Sequence, residues 1–235
     1  MSSMKSCLIV PKAGGSDAIF TSGAGALIFD FADAEGMERQ APLLRRAREA
    51  KSPSRLLVRL PGLDDPFFDL ALEALCATPP DGVVLRGAEG ASNVQQLGSR
   101  LAVFEAEANA ADGATRIVAE LSTPAGILSS ATLARASPRL EALLFGRAAL
   151  ASALGADEVS APIESARALL ILAAAAAGVK AFDAPCRDWG KLEEECLAAR
   201  REGFFGKCGE SEEDIGVIER LFGGSNAEKS PHSPR

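Results

Sequence analysis

The chain has 235 residues, 47% of them hydrophobic, with 25 Lys and Arg against 32 Asp and Glu, for a formal net charge of −7. That length and apolar content suit one large α/β domain with a full core. The negative balance argues against nucleic acid or an anionic membrane as a bulk partner. The start, MSSMKSCLIVPK, runs straight into a strand-like segment without the extended apolar region or cleavage pattern of a signal peptide. The longest apolar run, Ala168–Val179, falls short of the roughly 20 residues a bilayer needs. The five cysteines are an odd number with no C-x-x-C spacing, which reads as free thiols in a reducing, cytoplasmic setting. The single histidine, His232, stands in a polar tail, so zinc and His-activated nucleophiles are poor readings.

Taken in order, Ser6–Val10 is a short apolar strand closed by Pro11-Lys12-Ala13-Gly14-Gly15. Ser16 is placed to cap a helix Asp17–Ser22. Ala26–Phe31 is a second strand, followed by a charged amphipathic helix Glu35–Ala50. Arg55–Leu60 is strand three, and Pro66–Cys76 has apolar residues at helical spacing. Gly82–Leu85 is strand four, Ser92–Asn109 the next helix. Arg116–Leu121 and Leu140–Phe145 are strands five and six, flanking a segment of helical composition. Pro162–Gly178 is a helix rich in small residues, with Gly178 at its C-cap. Lys180–Asp183 is strand seven, Lys191–Arg201 a helix, Gly203–Lys207 strand eight, and Ser211–Phe222 the closing helix. Eight strands alternating with helices predict a single-domain (β/α)8 TIM barrel over residues 1–222, with a doubly wound open sheet as the other arrangement. Residues 223–235 read as a disordered tail. In such a barrel the residues just past the strand ends face the active site.

The order of short motifs resembles the HpcH/HpaI aldolase and citrate lyase beta-subunit-like family. Ala26–Ala34 (ALIFDFADA) is similar to that family's strand ending in Asp-Leu-Glu-Asp-Ala, Leu57–Leu60 to the strand carrying its Arg, and Gly82–Gly87 to its Leu-Pro-Lys strand. Leu121–Gly126 (LSTPAG) resembles Ile-Glu-Thr-Pro-x-Gly, and Phe145–Leu150 resembles Phe-Gly-x-x-Asp-Leu. Ala166–Gly178, Lys180–Pro185 and Gly203–Lys207 resemble its later helix and last two strands. The resemblance implies a barrel that makes or breaks carbon–carbon bonds beside a carboxylate or CoA thioester, usually with magnesium. Arg59, Asp33, Arg167, Asp183 and Lys207 match the family's pattern, and Asp33 and Arg59 are the catalytic candidates that it implies. The two positions at which the family holds magnesium are here Ser122 and Ala149. A hard dication needs carboxylate oxygens, and alanine offers none. The resemblance is thus to a lyase whose magnesium site is lost, with no cofactor expected.

Four cations stand at predicted strand ends: Lys12, Arg59, Arg86 and Arg147. Together with Ser122 they are the candidate ligand-binding residues, since an Arg fork suits a carboxylate or phosphate. Each loop cation alone also reads as ordinary solvated charge. Arg59, flanked by Leu57, Val58 and Leu60, reads as a buried group with a partner. Glu120 lies one pleat below Ser122, roughly 6.5–7 Å back, where it is either a salt-bridge partner for Arg59 or a displaced metal ligand. Asp33 reads as facing the barrel mouth, and Asp30 as either facing it too or capping the loop. The turn Lys12–Ser16 is a weak phosphate-loop candidate without the Walker spacing, and Lys207 a weak Schiff-base candidate. Two functions follow. One is a barrel binding a small carboxylate or CoA-type anion without a metal. The other is an active carbon–carbon lyase or aldolase on a CoA thioester or oxo-acid, with magnesium held by Asp33 and Glu120. Either leaves homo-oligomer formation open.

Overall fold

The structure, a computed structural model, describes residues 4–12 and 17–223. Eight parallel strands close into a barrel in chain order: β1 (Ser6–Ile9), β2 (Ala26–Asp30), β3 (Arg55–Leu60), β4 (Gly82–Leu85), β5 (Arg116–Leu121), β6 (Leu140–Phe145), β7 (Lys180–Asp183) and β8 (Gly206–Gly209). The ring shuts through Cys7 opposite Cys208 and Leu8 opposite Gly209. Eight α-helices cover it: α1 (Ala34–Glu49), α2 (Phe68–Ala74), α3 (Ala91–Glu107), α4 (Pro124–Leu128), α5 (Arg147–Leu154), α6 (Ala161–Ala177), α7 (Leu192–Glu202) and α8 (Glu212–Gly223). This is the (β/α)8 barrel that the alternation predicts, and the open sheet is excluded by the β1–β8 pairing.

The pleat sorts side chains into two cores. Met4, Cys7, Ala26, Ile28, Leu57, Val84, Val118, Ala142, Leu144, Phe182 and Cys208 pack inside the barrel. Leu27, Phe29, Leu56, Val58, Ile117 and Leu143 belong to the larger layer between strands and helices. Every strand residue carrying function inherits its direction from this parity.

Several boundaries differ from the sequence reading. The segment Asp17–Thr21 is a 3-10 helix rather than an α-helix, and its proposed cap Ser16 lies outside the described residues, as do 13–15 of the phosphate-loop candidate and the tail from 224 onward. The connection between β5 and β6 is broken into the short α4 and a 3-10 turn, Ser130–Leu133. Strand eight begins at Gly206 rather than Gly203. Gly203 has φ 111° and ends α7 as a left-handed cap, a conformation that only glycine adopts at little cost. The stretch after Phe145, read as a strand-end loop, enters α5 at once from Arg147.

One polar network sits in the outer layer. Asp183 and Lys207 are directly opposite each other on β7 and β8 and both point outward, because Phe182 and Cys208 take the inside. Both are fully buried. Lys207 Nζ lies 2.9 Å from Asp183 Oδ2 and 3.1 Å from Glu195 Oε2 of α7. Arg167 of α6 reaches Asp183 Oδ2 at 3.1 Å and also pairs with Glu202. Burial pushes the Asp183 carboxyl up, but Lys207, Arg167 and Arg147 outweigh it and hold it at about 2. Its folded value is below the ordinary 3.8, so its stabilisation is present above the unfolded value and is lost as pH falls from about 4 towards 2. Asp183→Asn leaves two cations under-compensated in a dry layer and should cost about 3–5 kcal/mol in urea unfolding at neutral pH. The variant should also lose part of the wild type's acid sensitivity between pH 4 and 2. Unchanged unfolding midpoints at both pH values would show that the network holds nothing together.

Candidate functional site

The motifs at the strand ends are, first of all, helix caps. Asp33 is the N-cap of α1, its Oδ1 accepting from the Gly36 amide at 2.7 Å. Thr123 caps α4, accepting from the Gly126 amide at 3.0 Å, with Pro124 in the first turn. Both cap-closing glycines are crowded. A Cβ on Gly36 would meet the Asp30 carbonyl oxygen at 2.5 Å, and one on Gly126 would collide with the carbonyl of Ala88. These caps fix where each strand stops and where its helix departs.

Inside that frame, the top of the barrel interior is charged. Asp30, Arg59 and Glu120 continue the inward positions of Ile28, Leu57 and Val118. Arg59 Nε lies 3.0 Å from Glu120 Oε2, and its Nη1 3.7 Å from Asp30 Oδ2. Burial would lower the Arg59 guanidinium, but Glu120 and Asp30 hold it above its ordinary value. The salt bridge expected between Arg59 and Glu120 is therefore present, and Asp30 joins it. The contact is an ion pair without a hydrogen bond: Arg59 Nε and Glu120 Oε2 are both buried, and neither has a hydrogen-bond partner. Asp30 is itself anchored, its amide donating to Gln40 Oε1 at 2.7 Å while Gln40 Nε2 donates to the Val10 carbonyl at 3.2 Å.

Above this triad opens a cleft of about 760 Å³ whose wall includes Lys12, Arg59, Arg86 and Arg147. All four strand-end cations thus line one space, though they differ in freedom. Lys12 and Arg86 are exposed at the rim, with Lys12 Nζ 3.5 Å from Asp33 Oδ2. Arg147 is drawn to the outer network, 3.6 Å from Asp183 Oδ1 and 3.4 Å from Glu195 Oε2. Arg59 is the one set in the barrel itself.

Asp30, left open by the sequence between mouth and loop cap, does both, its Oδ1 accepting from the Ala32 amide at 3.0 Å. Asp30 lines the cleft, whereas Asp33 is committed to its cap and rim. The Gly36 amide, with Lys12 and Arg86 behind it, outweighs slight burial and holds the Asp33 carboxyl below its usual value. Ser122 is buried beside Gly146, where any added Cβ would strike Ser122. Ala149 lines the cleft with a methyl group only. Lys207, the Schiff-base candidate, stands behind the barrel wall between two carboxylates and off the cleft. Glu195 has no signal in sequence, being one of three consecutive glutamates opening a charged helix. Asp30 did have one: it keeps the parity of Ala26 and Ile28.

Comparison with known proteins follows the geometry. A family model described as HpcH/HpaI aldolase/citrate lyase matches residues 14–205. Among curated proteins, the citrate lyase beta subunit of Haemophilus influenzae is 27% identical over 233 residues, covering 93% of this chain and 79% of its own length. That of Leuconostoc mesenteroides subsp. cremoris is 25% identical over 219 residues, covering 85% and 70%. Among solved structures, RipC from Yersinia pestis superposes with a TM-score of 0.74 at 28% identity, covering 95% of this chain and 97% of that one. CitE from Mycobacterium tuberculosis, in complex with magnesium, acetoacetate and coenzyme A, superposes with a TM-score of 0.77 at 23% identity, covering 96% and 83%.

Arg59 and Glu120 should be energetically coupled. Either Arg59→Met or Glu120→Gln alone strands a buried charge and should destabilise by about 3 kcal/mol. The double variant removes both and should recover on the order of 1–3 kcal/mol of the summed loss. Strictly additive losses in chemical denaturation would deny the pairing.

Proposed function

This chain belongs to the HpcH/HpaI aldolase/citrate lyase family, and from that premise we propose that its barrel mouth binds a small carboxylate or CoA-type anion through side chains, with the family's magnesium site lost. The observation that carries the reading is Arg59. It is a nearly buried guanidinium that lines the floor of the cleft, its Nε turned to Glu120 Oε2 at 3.0 Å and its charge shared with Asp30. A planar guanidinium lining the cleft suits a ligand carboxylate. Lys12 and Arg86 at the rim add positive potential, and a cleft with low-dielectric walls focuses it despite the acidic surface. The magnesium, acetoacetate and coenzyme A in the M. tuberculosis complex make a small oxo-acid and its CoA thioester the first ligands to try.

The residues present do not suit magnesium. The two positions that hold it in the family carry Ser122 and Ala149. The carboxylates at the mouth, Asp30 and Glu120, already face Arg59, so a dication there would meet a guanidinium at close range. Among the described residues no three His, Cys, Asp or Glu side chains are grouped to hold a metal. Metal-dependent lyase chemistry through Asp33 and Glu120 draws less support, because Asp33 is spent on the α1 cap and Lys12 while Glu120 lies in the barrel. The role left to this chain's own residues is to bind and orient an anion: Arg59 on its carboxylate, Lys12 and Arg86 on whatever charge extends to the rim. No helix among the described residues is long and apolar enough to cross a membrane.

Calorimetric titration with acetoacetate and with a small dicarboxylate should show binding without added metal, weakening as salt rises. Arg59→Met should weaken it roughly tenfold to a hundredfold, the worth of one charged hydrogen bond, and Lys12→Ala or Arg86→Ala by less. Magnesium or manganese bound with low micromolar affinity by the wild type would overturn the metal-free reading. Ser122→Glu combined with Ala149→Asp should create measurable manganese binding that neither substitution gives alone. Equal binding by the single variants would mean that the two positions do not share a site.

A further inference from the structure

The helices around the barrel differ sharply in charge. α1 combines Glu35, Glu38 and Arg39 with Arg45, Arg46 and Arg48, as expected of a helix whose outer face meets water. α6, of similar length, has only Glu164 and Arg167. Arg167 is buried in the outer network, and Glu164 lies 3.9 Å from it, paired within its own helix. The inner face of α6 is made by Ile163, Ala166, Leu170, Ala173 and Ala174. The outer face shows Ala161, Ser165, Ala168, Leu172 and Ala175, all exposed. Their spacing alternates four and three residues, the seam by which one helix packs along another. Here that seam points away from the barrel.

The apolar surface widens around the seam. Leu172 is 66% exposed, with Leu169 also exposed on the same face. Leu128, at the end of α4, is 81% exposed, and Val159, on the turn into α6, is 83% exposed. Leu154 closes α5, and both α4 and α5 pack against α6. Residues 121–134, which include α4, contain no charged side chain. These five large side chains expose about 500 Å² between them, and the small residues around them bring the face to roughly the 800 Å² per partner that a standard interface buries.

We propose that this face is the contact between two copies of the chain, with their α6 helices packed antiparallel across a two-fold axis at Ala168. The seam is complementary to its own reverse. On either side of Ala168, Ser165 mirrors Leu172 and Ala161 mirrors Ala175. Antiparallel pairing therefore sets Leu172 against Ser165 of the partner subunit, and the reverse, as a two-fold contact requires. Ala168 meets its own copy on the axis, where two methyl groups let the backbones approach closely. With Glu164 satisfied inside its own helix, no lone charge is buried. A partner recognised through charge would find little on this face to read. The proposal does not rest on the ligand assigned to the barrel mouth.

Sedimentation velocity on the full chain is the test. The mass should be twice the 24.3 kDa of one chain, or a higher even multiple. Ala168→Arg sets two cations against each other on the axis and should halve that mass. Its far-UV circular dichroism should stay unchanged, because the position is exposed and arginine suits a helix. Val103→Arg, at an exposed apolar position on α3, should keep the wild-type mass. A monomer at high micromolar concentration would give the face to some other partner and overturn the proposal. An odd number of copies, or an unchanged mass in Ala168→Arg, would overturn it too. A cross-link reads the contact without breaking it. Under diamide, Ala168→Cys should join two copies into a dimer on non-reducing electrophoresis, at a rate that the wild type and Val103→Cys do not approach. Ala161→Cys should cross-link to Ala175→Cys in a mixture and not to itself. Self-linking of Ala161→Cys as fast as that of Ala168→Cys would refute the antiparallel packing.

Discussion

A closed ring of parallel strands leaves each side chain two directions, inward to the axis or outward to the helices, and alternation allots them in strict turn. Everything distinctive about this protein depends on that constraint. Arg59 and Glu120 meet because both occupy inward positions near the ends of strands two apart in the ring. Asp183 and Lys207, matched residue for residue on β7 and β8, turn outward and are sealed beneath α6 and α7. A shift of one residue in either pair would exchange mouth for wall.

The two charged clusters answer the same problem differently. Buried ions must be paired. The outer network does so with close contacts on every side, and Arg147 carries it to the cleft. The mouth triad does so in charge only, leaving a donor and an acceptor without hydrogen bonds. The outer cluster stabilises the barrel, and the inner one keeps a guanidinium poised at its mouth.

The local structure also explains why the strand-end motifs of the family are present in this chain. Asp33-x-x-Gly36 and Thr123-Pro-x-Gly126 each cap a helix and pass a backbone carbonyl too closely for any side chain. Those demands come from the fold and hold whether or not a metal is bound. Ser122 and Ala149 cap no helix, although Ser122 is packed against Gly146.

The barrel, most strand positions and the Gly178 cap were legible in the chain itself, because period-two apolar runs and capping residues are local properties, whereas Gly203, read as the start of strand eight, is a helix cap. Six-residue β3, β5 and β6 appear where the apolar runs place them. That Ser122 and Ala149 carry no carboxylate was likewise plain from residue identity. The commitment of Asp33 to a helix cap, the turning of Arg147 towards Asp183, and the seat of Lys207 behind the wall were decided only in three dimensions. Each depends on partners distant in sequence, such as Gln40, Glu195 and Arg167, whose approach is set by how helices lie against the barrel. Local pattern fixes a side chain's parity, but the charge it meets is a property of the packed whole.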